Sequence, residues 1–291
     1  MQKFMEKIGL KRTQGRLTKE QSTQDSSNRF DISEDIGLKL ICENTQCDVD
    51  LVAIHGDGGH YERSWSHSET KVFWLRDLLP SIVPKSRVLS FGYPRSKSPL
   101  SKMSTPEIAF LLLQELSRLR EHTKSEKRKI IFLAHSFGVL ILKGALINSS
   151  ALGYNDIFVS TVGVMFFGSH PDVGQGLGSL ASSSFPDDTL QSPQVAALRK
   201  EAEWLQTASS QFSAIEKQGE FKIVYFLESP TDGPMDSLSQ NLQEQQEQQE
   251  QKILVIRMKK SHGMMIRFRN ASDDDFRQVE KLITQIYNNQ V

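Results

Sequence analysis

Ser136, His262 and one of the carboxylates Glu228 and Asp232 have the types and chain order that nucleophilic chemistry requires. A serine hydroxyl is a weak nucleophile. It needs a base to take its proton, an acid to orient that base, and donors to hold the oxyanion that forms. Ser136 lies in Ile130-Ile131-Phe132-Leu133-Ala134-His135-Ser136-Phe137-Gly138-Val139, where a run of β-branched and aromatic residues gives way to a helical pattern. Such a segment reads as a nucleophile elbow, a tight strand-to-helix turn that exposes a serine oxygen above a parallel sheet. The usual pattern is G-x-S-x-G. Ala134 replaces the first glycine and is small enough for strand and helix to approach closely.

Around such a serine the partners follow in the order Ser, Asp/Glu, His. Of the seven histidines, His262 alone follows the last strand-like run, in Lys260-Ser261-His262-Gly263-Met264-Met265, and it is the expected base. The run Phe221 to Leu227 ends in Glu228-Ser229-Pro230-Thr231-Asp232. Glu228 is preferred as the acid because it sits at the strand end, with Asp232 as the alternative. Oxyanion donors are expected from the backbone N–H of Phe137 and from that of Asp57 in Ile54-His55-Gly56-Asp57-Gly58-Gly59-His60. A carboxylate about 4 Å from the oxyanion costs about 4 kcal/mol at an effective dielectric of about 20. One good donor supplies only about 3 kcal/mol, so the Asp57 side chain is expected to point away from the site.

Seven strands are expected to position these groups, at Leu38 to Cys42, Asp50 to His55, Arg87 to Tyr93, Lys129 to His135, Val162 to Phe167, Phe221 to Leu227 and Ile253 to Met258. Several are continuous apolar runs, the texture of parallel strands covered on both faces. Between them Thr105 is read as capping a helix that starts at Pro106, with Ile108, Leu112, Leu116 and Leu119 on one face. A second helix continues from Gly138 to Ile147. A third is read as capped by Ser272, with Asp273, Asp274 and Asp275 favouring the positive end of its dipole. Alternating strands and helices predict an α/β fold with a mostly parallel, doubly wound sheet and helices on both faces.

Residues 1–35 are polar and read as a flexible tail, leaving 36–291 for one domain. Residues 172–219, Ser-, Gly- and Gln-rich with a helical portion around Val195 to Leu205, are expected to form a small cap region over the sheet's carboxyl edge. Residues 236–252 include a Gln/Glu run without an apolar face, read as a solvated insertion.

The 291 residues carry 35 basic and 35 acidic side chains, so net charge points to no nucleic-acid partner. Cys42 and Cys47 form neither a disulfide framework nor a zinc pattern and read as thiols of a reducing compartment. No apolar run is long enough to span a membrane, and Met1 to Lys7 is too charged for a secretory signal. A soluble, intracellular protein is expected, for which peripheral membrane contact stays open. His55, Asp57 and His60 lack a second ligand cluster, so no metal is expected. Gly174, Gly176 and Gly178 enter a Ser-rich loop without a following acidic strand and do not read as a nucleotide site. His170 is read as stabilising its loop. Arg257, Lys259 and Lys260 are read as a solvated strand end, with an anionic headgroup as the functional alternative.

H-G-D-G-G-H from His55, then Ser64-Trp65, Trp74-Leu75-Arg76-Asp77-Leu78-Leu79-Pro80, A-H-S-F-G-V-L-I-L-K, and Phe166-Phe167-Gly168-Ser169-His170-Pro171 together resemble the α/β-hydrolase superfamily. The likeness is to intracellular serine esterase or lipase-like domains related to the glycosylphosphatidylinositol inositol-deacylase group, which also occur as modules of fungal NLR-type receptors. The chain departs from their motifs at Asp57, Ala134, Val139 and Ser169-His170-Pro171. The resemblance implies an α/β-hydrolase fold, no cofactor, and cleavage of a carboxylic ester, with lipid esters ahead of small soluble ones. The alternative is a catalytically weak or inactive module with a signalling or interaction role.

Overall fold

The computed structural model describes residues 35–44, 46–93, 103–169, 193–218, 221–229 and 252–289. Its strands are β1 (Gly37–Glu43), β2 (Val49–Ile54), β3 (Ser86–Gly92), β4 (Lys129–His135), β5 (Thr161–Phe167), β6 (Lys222–Glu228) and β7 (Ile253–Met258). They form one sheet in the order β1-β3-β2-β4-β5-β6-β7. β1 runs antiparallel to β3, and every other pairing is parallel.

The apolar runs follow from coverage of both faces. In β2 all six residues are buried, and successive side chains point to opposite sides. Leu51 and Ala53 join one core with Trp65, Trp74 and Phe268, and Val52 and Ile54 join the other with Phe91 and Phe132. The short helices α1 (Trp74–Asp77) and α2 (Leu79–Ile82) contribute to the first core, as does the C-terminal helix α7 (Asp274–Asn288). The second is covered by α3 (Thr105–His122), α4 (Phe137–Ser149) and α6 (Pro193–Gln218), and α5 (Asn155–Ser160) packs beside it.

Two helix starts differ by one residue from the sequence reading. Ser104, rather than Thr105, caps α3, because Glu107 then falls three residues on: the Ser104 N–H and Oγ reach its carboxylate at 2.7 and 2.9 Å. Asp273, rather than Ser272, caps α7. Its carboxylate is fixed by Lys260 Nζ at 2.6 Å and the Arg269 N–H at 3.1 Å, whereas the Ser272 N–H donates to Asn270 Oδ1.

The helix expected around Val195 to Leu205 spans 26 residues, and its second half belongs to the layer covering the sheet. Phe212 is fully buried and packs edge-on against Phe166. Residues 172–192 and 219 of the expected cap, with the Gly174–Gly178 string, lie outside the described residues, as do His170, residues 1–34 and most of the Gln/Glu run.

At the amino end of the sheet Asp50 is fully buried and binds three arginines. Arg87 grips it with two nitrogens at 2.8 and 2.9 Å, Arg120 bonds it at 2.9 Å, and Arg128 at 3.1 Å. This charge cluster lies at the opposite end of the strands from the elbow. No helix among the described residues is long and apolar enough to cross a membrane.

Candidate active site

Chain order and sheet order together determine where a site can form. β2 is central, β3 is laid down on one side of it, and the chain then returns to place β4 on the other. The loops leaving the carboxyl ends of β2 and β4 therefore diverge at a switch point, the place where open α/β sheets form ligand crevices. One of these loops is His55 to Gly59, and the other is the turn at Ser136.

Ser136 adopts φ 52° and ψ −119°, a conformation that side chains rarely occupy. The turn is held on both sides. The Ser136 N–H donates to the Phe167 carbonyl at 2.8 Å, and the Ser136 carbonyl accepts from the Val139 N–H at 3.0 Å. Gly138 lets α4 start this close to β2, since a Cβ there would lie 2.5 Å from the His55 carbonyl oxygen and 2.6 Å from that of Ile54. Ala134 is fully buried between Ile54 and Phe166 on the flanking strands, so a methyl group fits where the motif has glycine.

The glycine loop lies against the elbow. A Cβ on Gly56 would be 3.1 Å from that of Ser136 and 3.0 Å from His135 Nδ1. The loop turns on a bond from the Gly59 N–H to the Gly56 carbonyl at 3.1 Å, with Asp57 and Gly58 at the tip. The Asp57 side chain is exposed. His55 is buried, stacks on Tyr93 at 4.3 Å, and bonds the Gly56 carbonyl through Nδ1 at 2.7 Å. Burial pulls its pKa down to about 4, so the ring is neutral at neutral pH. His60 Nδ1 accepts the N–H groups of Glu62 and Arg63, which leaves the proton on Nε2 facing Asp35 at 3.1 Å. Both histidines thus shape the loop, and among the described residues no group of His, Cys, Asp or Glu is arranged to hold a metal.

His262 lies on the loop leaving β7, beside the elbow. Its ring covers Gly168, where a Cβ would sit 2.7 Å from His262 Nδ1, and Gly168 directly follows the residue that bonds the Ser136 N–H. Gly168 has φ +70°, so both conformation and space require glycine there. His135 Nε2 donates to the His262 carbonyl at 2.9 Å, and the two rings lie 5.0 Å apart. Burial brings the pKa of His135 down to about 4, so it acts as a neutral donor tying the loop to the strand that leads into Ser136. The loop is braced further by Trp74 Nε1 on the Ile266 carbonyl at 2.9 Å and by the buried side chains of Met265, Ile266 and Phe268. His135 thus bonds the loop that carries His262, a contact the sequence marks only by placing it next to Ser136.

Glu228 ends β6 opposite Met258 of β7, and its side chain is exposed. Its carbonyl accepts from Arg257 Nη1 at 2.8 Å. Among the described residues no hydrogen bond joins the Ser136 hydroxyl, the His262 ring and the Glu228 carboxylate, and Asp232 lies outside them. The basic cluster near His262 is engaged in structural contacts. Lys260 bonds Asp273 and lies 4.5 Å over the Phe268 ring, Lys259 pairs with Asp274 at 3.6 Å, and Arg257 holds Glu228.

The switch-point elbow and the seven-stranded, mostly parallel sheet make this an α/β-hydrolase fold. No family model and no curated protein matches the sequence. Among solved structures the chain is similar to a Bacillus licheniformis lipase, at 16% identity and TM-score 0.46 over 78% of this chain and 90% of that one. It is also similar to a Paleococcus ferrophilus monoacylglycerol lipase, at 13% and 0.45 over 86% and 100%, and to a Bradyrhizobium elkanii haloalkane dehalogenase loop variant, at 14% and 0.44 over 88% and 99%. Likenesses of this degree bear on neither substrate nor mechanism.

Proposed function

We propose that the chain is a serine hydrolase that cleaves a carboxylic ester through an acyl-enzyme. The observation that carries this reading is the strained turn at Ser136, held open at the sheet's switch point beside a loop that bears His262. Strain of this kind costs about 1–3 kcal/mol, and residues retained in such conformations concentrate at functional sites.

In the reaction, the Ser136 oxygen attacks the acyl carbon while His262 takes the hydroxyl proton. His262 then gives that proton to the departing alcohol and draws one from the water that releases the acid. The oxyanion is held by the backbone N–H groups of Phe137 and Asp57, the former at the positive end of α4. The exposure of the Asp57 side chain supports a donor role for its backbone, since its carboxylate need not face the developing charge. Glu228, or Asp232 in its place, holds the imidazole in the required tautomer. The motif likeness to the inositol-deacylase group makes lipid esters the first substrates to try.

The second reading is a signalling or interaction module that keeps the fold and has lost turnover. The absence of a hydrogen bond from Ser136 to His262 among the described residues favours it, although catalytic bonds in empty sites are often long. Turnover of a short-chain ester by the full chain separates the two. Ser136→Ala and His262→Gln are each expected to lower kcat by about 10⁶. Whichever of Glu228→Gln and Asp232→Asn has the larger loss marks the acid. A folded chain without Ser136-dependent turnover establishes the second reading.

A further inference from the structure

A polar cleft of about 560 Å³ is lined by residues of the segment from Gly58 to Lys71, which continues the glycine loop, and by Arg267. Gly58 and Gly59 of the glycine loop border it, as does Arg267, five residues beyond His262 on the loop after β7. Arg63 and Lys71 stand exposed on its lining, where Glu62 is the one carboxylate beside these two cations and Arg267. Arg267 is half-buried, and its guanidinium has no acceptor among the described residues; Nε is wholly shielded from solvent without a hydrogen bond. Its loop is tied to the elbow's strand by the bond from His135 to the His262 carbonyl. A guanidinium taken out of water normally finds a carboxylate, a phosphate or carbonyl oxygens. The cations of the Asp50 cluster have such partners within the protein, and Lys260 has Asp273.

We propose that this cleft binds an anionic group, carboxylate or phosphate, carried by the ester on which Ser136 acts, with Arg267 as its principal ligand. The proposal rests on the serine-hydrolase reading of the same site and adds the substrate class. A planar guanidinium offers paired N–H donors that match either oxyanion. The neighbouring glycines leave room for backbone approach, and the charges of Arg63 and Lys71 draw anions to the cleft mouth.

Two matched ester pairs test it with the full chain. 4-Nitrophenyl hydrogen succinate against 4-nitrophenyl butyrate places the charge on the acyl side. 1-Acylglycerol 3-phosphate against 1-acylglycerol places it on the alcohol side. The charged member of at least one pair is expected to have a kcat/KM about ten- to hundredfold higher, the range of one charge-assisted hydrogen bond. That preference should weaken as salt rises. Arg267→Gln should bring the ratio close to one, and Arg267→Lys should retain part of it. Calorimetric titration of inorganic phosphate and succinate into Ser136→Ala, with and without Arg267→Gln, reads the anion site without turnover. Arg267-dependent heat with no turnover in wild type therefore defeats the hydrolase reading and upholds anion binding. If Arg267→Gln does not fold, the exposed pair Arg63→Gln/Lys71→Gln carries the test through an expected several-fold loss of anion affinity. A wild-type ratio of one for both pairs, or a preference or phosphate affinity that survives in folded Arg267→Gln, overturns the proposal.

Discussion

At the scale of single residues, the site depends on a backbone conformation maintained against its own preference. Ser136 sits at φ 52° with a side chain that glycine lacks, and the Phe167 and Val139 bonds hold it there. Replacing it with glycine removes the conformational cost while leaving those backbone bonds in place. Ser136→Gly is expected to raise unfolding stability by about 1 kcal/mol and to abolish nucleophilicity. Urea denaturation checks the first effect, and a loss of stability would show that the turn is unstrained. Residue type alone does not separate the two candidate acids, because Glu228 ends β6 and Asp232 follows it by four residues. Position at the strand end favours Glu228, yet its exposed carboxylate has no partner among the described residues.

At the scale of elements, the seven strands were legible to within one residue of each end, because strands buried on both faces leave long β-branched and aromatic runs. The helix caps were less legible. Ser104 and Thr105, like Ser272 and Asp273, are adjacent residues able to cap, and which one does so is decided by Glu107 and Lys260. The long α6 was only partly legible, since its Gln- and Ser-rich composition obscures the face that carries Phe212. Chain order alone points to His262 as the candidate base. It does not point to His135 or Arg267, whose surroundings depend on which loops meet. The tie from His135 to the His262 carbonyl joins β4 to the loop after β7, and His135→Phe removes it while filling most of the space. We expect a stability loss of about 1 kcal/mol, the worth of one hydrogen bond. Nucleophilic reactivity of Ser136 should fall about ten- to hundredfold, the cost of displacing the base. Stopped-flow acylation checks this, and an unchanged rate in the folded variant would remove His135 from the positioning role.

At the scale of the whole molecule, the sheet carries a core on each face and two buried histidines, His55 and His135, at its carboxyl edge. His55 and His135 both titrate near 4 in the folded chain because burial disfavours their charged forms. In the unfolded chain they take up protons near pH 6.5. Between these values the unfolded state binds more protons, so stability is full above about pH 6.5. It falls as pH drops toward 4, by up to roughly 3 kcal/mol for each histidine. Urea midpoints at pH 7, 6 and 5 should decline progressively, and His55→Phe should flatten part of the decline. A midpoint constant over that range would mean that the two rings are not held neutral.

The central claim, that Ser136 is an activated nucleophile served by His262, is tested most directly by fluorophosphonate labelling of the folded full chain, with the adduct located by mass spectrometry. The account predicts a single adduct on Ser136 in wild type, none in Ser136→Ala, and labelling slowed by at least about a hundredfold in His262→Gln. Wild-type protein that is folded yet unlabelled at Ser136, or labelled at the same rate without His262, would contradict it.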